Sequence, residues 1–547
     1  MPLLNRKFHP VTLAAIFGLV VLAVYLVFLS DNYNGDGLGY ARIVEQADSD
    51  QLFSVSARLL YCPTGRLGLH ISNLFGLDFR SVRVLQIINA LFGALGAGVF
   101  FLTAHQISRS IRQSLLVSIG LASSLAFWFW CTNATSYPGN VFFLLVTLYL
   151  IVRMWRTSSY NKYIILSLLV GLSHALAGFY WLTALLLVPA VALSMFISGH
   201  TLKFRQRLSA VVVYGASFLF FLLVPLLIAG FATGRISNLS EFPSWLRAAS
   251  YGIPPSLSLQ NFSRGIIGFS SSFFHLTQIG PVVKQLIWGV PFALTSKIRL
   301  YSEIAAFVLL WVFVAMTGLC LYLNRMFAFV SRFRLTLVLL AWALVPLIFG
   351  LVWLGSDTER WLAGLPIFWL LVLMCFQNPE VIYESKFSRI FQGIAWVFVL
   401  MIFVYNFSFA ILPHSKPVNN QYMQAAAYFD SKVSGEDLLL LWGHDHVFTA
   451  DHLAYFYKIP AIHLYQEARE RPSTAIATIQ REVDARLNEG HRVFVIGRIF
   501  LEEDLPESHA PTEGMAVTRE DFAELFDRWR RTPAFDQGKD TYWQLTR

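Results

Sequence analysis

Charge is what this chain has least of. Of its 547 residues only 14% are Asp, Glu, Lys or Arg, while 56% are hydrophobic and the mean hydropathy is +0.55. A water-soluble globular domain carries about 25% charged residues, so that class is excluded and the chain reads as a polytopic membrane protein. Cysteine is scarce as well. The four present, Cys62, Cys131, Cys320 and Cys375, are too few for a disulfide framework, and whether Cys62 and Cys131 pair is open because sequence carries no distance. No standard metal-ligand spacing occurs. The histidines His444, His446, His452 and His463, with Asp445, follow the end of an expected strand, where polar residues are ordinary, so neither a metal nor another cofactor is called for. The net charge of +9 is carried largely by short loops and implies no nucleic-acid partner.

What is abundant is apolar length. Runs of about 20 residues are needed to cross a bilayer. Such segments lie at 11–30, 85–104, 114–131, 140–155, 163–178, 181–197, 209–230, 303–323, 336–354, 361–376 and 390–412, which gives about 11 transmembrane helices. The split between 163–178 and 181–197 rests on the aromatic cluster Phe179-Tyr180-Trp181, and 264–294 leaves room for a re-entrant helix. Arg6 and Lys7 precede the first segment, with no small-residue cleavage site after it, as in a retained signal anchor.

Basic residues orient the segments. Arg6/Lys7, Arg109/Arg112, Arg153/Arg156/Lys162, Lys203/Arg205/Arg207, Arg325/Arg332/Arg334 and Lys386/Arg389 fall on one side, expected to be the cytosol. The short connections on the other side carry a single cation, Arg360. Two long loops, 31–84 and 231–302, and a C-terminal region then face outward. The expected organisation is a transmembrane domain over 1–412 and an extracytoplasmic α/β domain over 413–547. In the latter, helices near 420–433, 451–457 and 473–489 alternate with strands at 438–442 and 491–496.

The first loop opens with Asp31-Asn-Tyr-Asn-Gly-Asp36-Gly-Leu-Gly-Tyr40-Ala-Arg-Ile-Val, an acidic residue at the membrane surface ahead of a periodic segment. A second polar constellation, Asp357-Thr-Glu359-Arg360-Trp361-Leu-Ala-Gly-Leu-Pro366, stands at the outer mouth of a late span. With the topology, these two stretches resemble the C-superfamily of integral-membrane glycosyltransferases, closest to the branch of protein O-mannosyltransferases and lipid A aminoarabinose transferases. In that branch the first span is followed by Asp, usually Asp-Glu, then an aromatic residue and a short helix on the membrane. Here Gly37 replaces the Glu, leaving one carboxylate. The resemblance implies a sugar donor linked to a polyprenyl monophosphate, with Asp36 catalytic, Tyr40 as the aromatic residue beside it and Arg360 directed at the donor phosphate. It also implies an acceptor on the outer face and favours a bacterial inner membrane with a cytosolic N-terminus and a periplasmic C-terminal domain.

The chemistry of the residues agrees. Glycosyl transfer of this kind needs a base for the acceptor's proton and cations for the departing lipid phosphate. A lone carboxylate near low dielectric suits the first task, because burial favours the proton-holding form. The planar fork of Arg360 suits the second. Each has a plainer reading: Asp36 as a helix cap, Arg360 as an interface residue paired with Glu359 or Asp357. Lys284, Lys297 and Arg299 in the second outer loop are further candidates for the donor phosphate. Arg58, Arg66 and His70 in the first loop are candidates for the substrate entrance, as is Glu359 beside Arg360. His174 stands in the outer half of its span, where a polar group is costly unless used, and is open between a substrate contact and a hydrogen-bonded core histidine. Two other classes stay in view: a polymerase or ligase using diphosphate-linked donors, and a polytopic transporter, although no internal repeat or midplane polar cluster favours the latter.

Overall fold

Each of the eleven apolar segments forms helix, and the way each helix ends decides how it is used. The computed structural model describes residues 9–547 apart from 47–48, 54–55, 200, 248–255, 289–295, 324–329, 354, 377–385, 444–445, 472, 501–516 and 538–539. The chain divides into two compact units, one formed by Met1–Ser30 with Ile43–Ser415, the other by Asp31–Arg42 with Lys416–Arg547.

The first unit contains α1 (Pro10–Val27), the last turn of α2 (Gly35–Gln46), α3 (Tyr61–Leu74), α4 (Ser81–Ser108), α5 (Ile111–Ser123), α6 (Leu125–Cys131), α7 (Tyr137–Met154) and α8 (Tyr160–Tyr180). After a 3₁₀ stretch, Leu182–Leu187, come α9 (Val188–Ser198), α10 (Phe204–Ala232), α11 (Leu259–Ser271), α12 (Ile279–Trp288), α13 (Lys297–Leu323), α14 (Val330–Val352), α15 (Leu365–Cys375) and α16 (Lys386–Asn406). Among the described residues, eight helices are long and apolar enough to cross a membrane, and the bent pair α5–α6 makes a ninth. The remaining two expected segments are shorter apolar helices, Leu182–Ser198 and Leu365–Cys375. A chain of this build is a multi-pass membrane protein. The break after Tyr180 falls at the aromatic cluster, with Trp181 extended at the helix end. The region 264–294 holds two separate helices, α11 and α12.

Without a hydrophobic force between helices in lipid, close packing comes from small residues. Where α1 meets α4, Gly18 faces the Ala94 carbonyl and Gly98 faces the Ala14 carbonyl, each oxygen 3.2 Å from where a Cβ would stand. Gly171 of α8 sits so tightly on α10 that a Cβ would strike Ser217 and the backbone of Tyr214 and Phe218. The 64° bend between α5 and α6 frees backbone groups, which apolar surroundings do not forgive. They find partners: Ala126 N donates to Ser272 O (3.0 Å), and Asn406 Nδ2 donates to Ser123 O (3.0 Å) and Phe273 O (2.6 Å). The one fully buried carboxylate among the described residues of the long apolar helices is equally well supplied. Glu303 of α13 accepts from Thr277 Oγ1, from the backbone N–H of Gln278 and Ile279 at the start of α12, and from Arg299 Nε, all within 3.1 Å. Breaking so satisfied a buried ion pair typically costs about 3–5 kcal/mol. All four cysteines are free thiols, so Cys62 and Cys131 are not bridged.

The second unit is an α/β domain around a five-stranded sheet. Its helices are α17 (Gln421–Asp430), α18 (Val447–His452), α19 (Leu464–Glu470), α20 (Ala475–Asn488) and α21 (Arg519–Phe526). Its strands are β1 (Leu438–Leu441), β2 (Ala461–His463), β3 (Val493–Ile496), β4 (Arg530–Gln537) and β5 (Asp540–Thr546), in the order β2-β1-β3-β5-β4. β1 runs parallel to β2 and β3, whereas β5 is antiparallel to β3 and β4 to β5. The continuous apolar runs of β1 and β3 are buried along their whole length, as central strands covered on both faces must be. The β4–β5 hairpin, β2, α19 and α21 add to the two strands and three helices expected from the sequence.

One buried group makes this unit sensitive to acid. Burial pushes His452 down to about 4, against the opposing effect of its bond to the Phe448 carbonyl. The unfolded chain, with a histidine of ordinary pKa near 6.5, binds more protons than the folded one between these values. Stability contributed by the neutral ring is therefore present above about pH 6.5 and falls as the pH drops toward 4, by a few kcal/mol, on the order of 3. Thermal unfolding of the wild type against His452→Asn between pH 4 and 7.5 measures this; equal acid sensitivity in both proteins would remove His452 as the cause.

Candidate functional site

In the first unit the polar turn Thr358–Trp361 is placed between α14 and α15, and its own residues hold it there. Arg360 N donates to Asp357 O (3.1 Å), Trp361 Nε1 to Gly355 O (2.9 Å), and Trp130 Nε1 of α6 to Thr358 Oγ1 (3.1 Å). Glycines let the Trp361 ring in, since a Cβ on Gly350 would stand 2.4 Å from it.

Arg360 itself is only 7% exposed. Its guanidinium lies over Trp353 (4.4 Å to the ring centre), Trp181 (5.1 Å) and Phe349 (5.9 Å), an arrangement in which the aromatic faces partly replace water around the cation. The carboxylates of Asp357 and Glu359 approach only to 3.9 Å, too far for a hydrogen bond, and Arg360 Nε has no hydrogen-bond partner among the described residues. A small crevice runs from this cation along Leu186, Leu187, Val345, Pro346 and Phe349. The result is a buried cation with donor capacity in reserve at the head of an apolar slot, an arrangement that fits an anion carrying an apolar tail.

The neighbouring residues explain the rigidity of the slot. Trp181 packs edge-on against Tyr137 (4.8 Å), and Arg58, buried in the first loop, donates to Tyr137 Oη (3.3 Å) and lies over the same ring. Arg58 thus braces the aromatic wall of the crevice through Tyr137. His174 is buried, and its ring nitrogens lie 2.9 Å from Tyr214 Oη and 2.8 Å from the Ala184 carbonyl. Because the carbonyl only accepts, Nε2 carries the proton, and the ring fixes Ala184, which lines the crevice. Arg66 donates to the carbonyls of Val44 and Glu45 at the end of α2, while His70 is exposed. Of the second-loop cations, Arg299 is engaged by Glu303 and the His275 carbonyl (2.8 Å), and Lys297 is exposed. Lys284 lies in α12 with its side chain outside the described residues. The sequence reading missed the structural parts played by Tyr137, Trp181, Phe349 and Trp353. Their only signal was aromatic clustering at span ends.

Asp36 belongs to the second unit, in the first turn of α2, whose start is capped by Asn34 Oδ1 accepting from Gly37 N (2.7 Å). The expectation of a buried carboxylate is corrected: Asp36 is exposed, because Gly37, Leu38 and Tyr40 turn inward and leave it on the open face of the helix. Among the described residues no group of three His, Cys, Asp or Glu side chains is placed to hold a metal ion. His463 bonds the Gly443 carbonyl (2.8 Å), and His446 faces Asp540 (3.5 Å), whose carboxyl burial pushes up but bonds from His446 and Arg498 hold below the usual range. His444 and Asp445 lie outside the described residues.

No family model and no curated protein matches the sequence. Solved structures do. ArnT from Cupriavidus metallidurans, in the apo state, superposes over 97% of this chain and 98% of its own at 12% identity and a TM-score of 0.59. The same protein bound to undecaprenyl phosphate gives 13% identity, the same coverage and the same score. The chain has the ArnT fold. An oligosaccharyltransferase of Archaeoglobus fulgidus, solved with zinc and sulfate, matches over 91% of this chain and 70% of its own at 15% identity, with a TM-score of 0.52. The ArnT match covers 97% of this chain and so runs through both units.

Proposed function

We propose that the chain is a membrane glycosyltransferase that moves a sugar from a polyprenyl-monophosphate donor to a hydroxyl-bearing acceptor, a glycan, lipid or protein, on the extracytoplasmic face. The acceptor oxygen attacks the anomeric carbon as the bond from that carbon to the phosphate oxygen breaks. The acceptor's proton goes to Asp36, and the products are the glycosylated acceptor, inverted at the anomeric centre, and free polyprenyl phosphate. Arg360 holds the phosphate and meets the charge that develops as the lipid leaves. No nucleic acid takes part, and the proposal requires no metal.

The observation that carries this reading is the buried Arg360 guanidinium, with its Nε unpartnered, at the head of the apolar crevice. An interface arginine extends into water or bonds carboxylates at hydrogen-bond distance, whereas Arg360 is 7% exposed and its two neighbouring carboxylates stay at 3.9 Å. The ArnT fold supports the same reading, since one ArnT structure holds undecaprenyl phosphate. The reaction class is tested by incubating purified protein with a panel of polyprenyl-monophosphate sugars and a membrane extract, and measuring polyprenyl phosphate released. Release with one sugar of the panel is expected. A folded protein that releases lipid phosphate from none of them, but acts on diphosphate-linked donors, would overturn the monophosphate assignment.

A further inference from the structure

Asp36 is exposed, yet residues on both sides of it are tied to the C-terminal part of the second unit. Before it in sequence, Asn420 Nδ2 donates to the Asp31 carbonyl (2.7 Å), and the Tyr33 ring packs on His452 (6.2 Å between ring centres) and Phe456 (5.3 Å). Immediately before it stands Gly35, where a Cβ would lie 2.5 Å from Asp451 Oδ2 and 2.8 Å from the Phe448 ring, so only glycine lets the helix start this close. After it, Arg42 Nη2 reaches Asp451 Oδ1 at 3.3 Å. The holding groups are themselves fixed. His452 Nδ1 donates to the Phe448 carbonyl (2.6 Å), which leaves Nε2 to accept from Asn420 Nδ2 (3.2 Å), while Asn420 Oδ1 caps α17 through Met423 N (3.0 Å). Asn420 is 1% exposed and His452 fully buried.

We infer that the C-terminal region serves the reaction as the holder of Asp36, with Asn420, Asp451, His452, Gly35 and Arg42 as positioning residues for that carboxylate. The inference rests on the proposed role of Asp36 as base. A base must meet the acceptor hydroxyl at hydrogen-bond range, and misplacement by about 1 Å can cost ~10²-fold in rate. The sequence elements are far apart: Arg42 and Asp451 are separated by 409 positions, and Asp31 and Asn420 by 389. A loop that needed only to cross from one span to the next would not require a glycine fitted against the far end of the chain. The two sides of the grip divide the work. Gly35 and Asn420 set where the helix begins, and the half-exposed Arg42–Asp451 pair, weaker in energy, sets its rotation about its axis.

The test uses the full-length protein and three readings. Hydrogen exchange of the 31–42 peptide reports the grip, stabilisation by added polyprenyl phosphate reports donor binding, and donor-dependent release reports turnover. In Gly35→Ala, exchange of 31–42 is expected to rise, kcat to fall by about 10²-fold, and stabilisation by the lipid phosphate to remain. Asp451→Arg is expected to lower kcat by about tenfold, and Arg42→Asp in the same chain to restore most of it, a rescue that general destabilisation would not produce. Unchanged exchange in both variants overturns the grip. Raised exchange with kcat within twofold of wild type overturns the positioning role. Asp36→Asn run beside them separates the two claims: if that variant keeps wild-type turnover, the base assignment fails, and the exchange data still decide whether the grip exists.

Discussion

Arg360→Ala lowers kcat/KM for the polyprenyl-phosphate sugar by about 10³-fold and abolishes the thermal stabilisation that free polyprenyl phosphate gives the wild type. The magnitude follows from two charge-assisted hydrogen bonds to phosphate, each about 1.5–3 kcal/mol, lost from a site where water replaces them poorly, at about 1.4 kcal/mol per tenfold. The stabilisation arm needs neither the sugar nor the acceptor. A ligand at about 100 times its Kd adds roughly 2.7 kcal/mol to the folded state, a shift that a melting curve in detergent resolves. Arg360→Lys separates charge from geometry. Lysine keeps the charge but not the planar fork, nor the stacking over Trp353 and Trp181, so it recovers part of the binding and leaves the rate about tenfold down. Persisting stabilisation in Arg360→Ala would move the phosphate to another cation, with the exposed Lys297 the first to test.

How much of this was legible in the sequence differs between the two units for a physical reason. In lipid, every backbone group must be satisfied locally, so an apolar run long enough to cross has little choice but helix, and all eleven segments are helical. What hydropathy does not report is where a helix breaks and what satisfies the break. Ser123, Leu125 and Ala126 at the bend and their partners Asn406, Phe273 and Ser272 come from three distant stretches. In the second unit, β1 and β3 stood out as apolar runs bounded by polar turns. β4 did not: it is an exposed edge strand containing Arg530, Arg531 and Pro533, with a register shift after the proline, features that protect an edge from pairing and also erase the strand signal.

The candidate site divides in the same way. Asp36 and Arg360 could be picked out because each is a charged residue beside an apolar run, a local property. That Asp31–Arg42 belongs with the C-terminal region depends on Asn420, Phe448 and Asp451, and no pattern within the first loop encodes it. The exposure of Asp36 was missed for a related reason. The nearest hydrophobic span suggested burial, whereas the helix turns its apolar residues Leu38 and Tyr40 inward and the carboxylate outward.

Asp36→Asn keeps the shape and removes the proton acceptor, so turnover is expected to fall by about 10²–10⁴-fold, the usual contribution of a positioned general base. Stabilisation by polyprenyl phosphate is expected to survive, because the phosphate is assigned to Arg360. The loss alone would not distinguish a base from a residue that merely shapes the site. The acceptor does. A base matters less as the acceptor hydroxyl becomes more acidic, since more of the proton's departure is then driven by the acceptor itself. Across acceptor analogues of graded acidity, the deficit of Asp36→Asn should therefore shrink as the hydroxyl pKa falls, while that of Arg360→Ala, which acts on the leaving phosphate, should stay nearly constant. A deficit in Asp36→Asn that is the same for every acceptor would take proton abstraction away from Asp36 and leave it an electrostatic role.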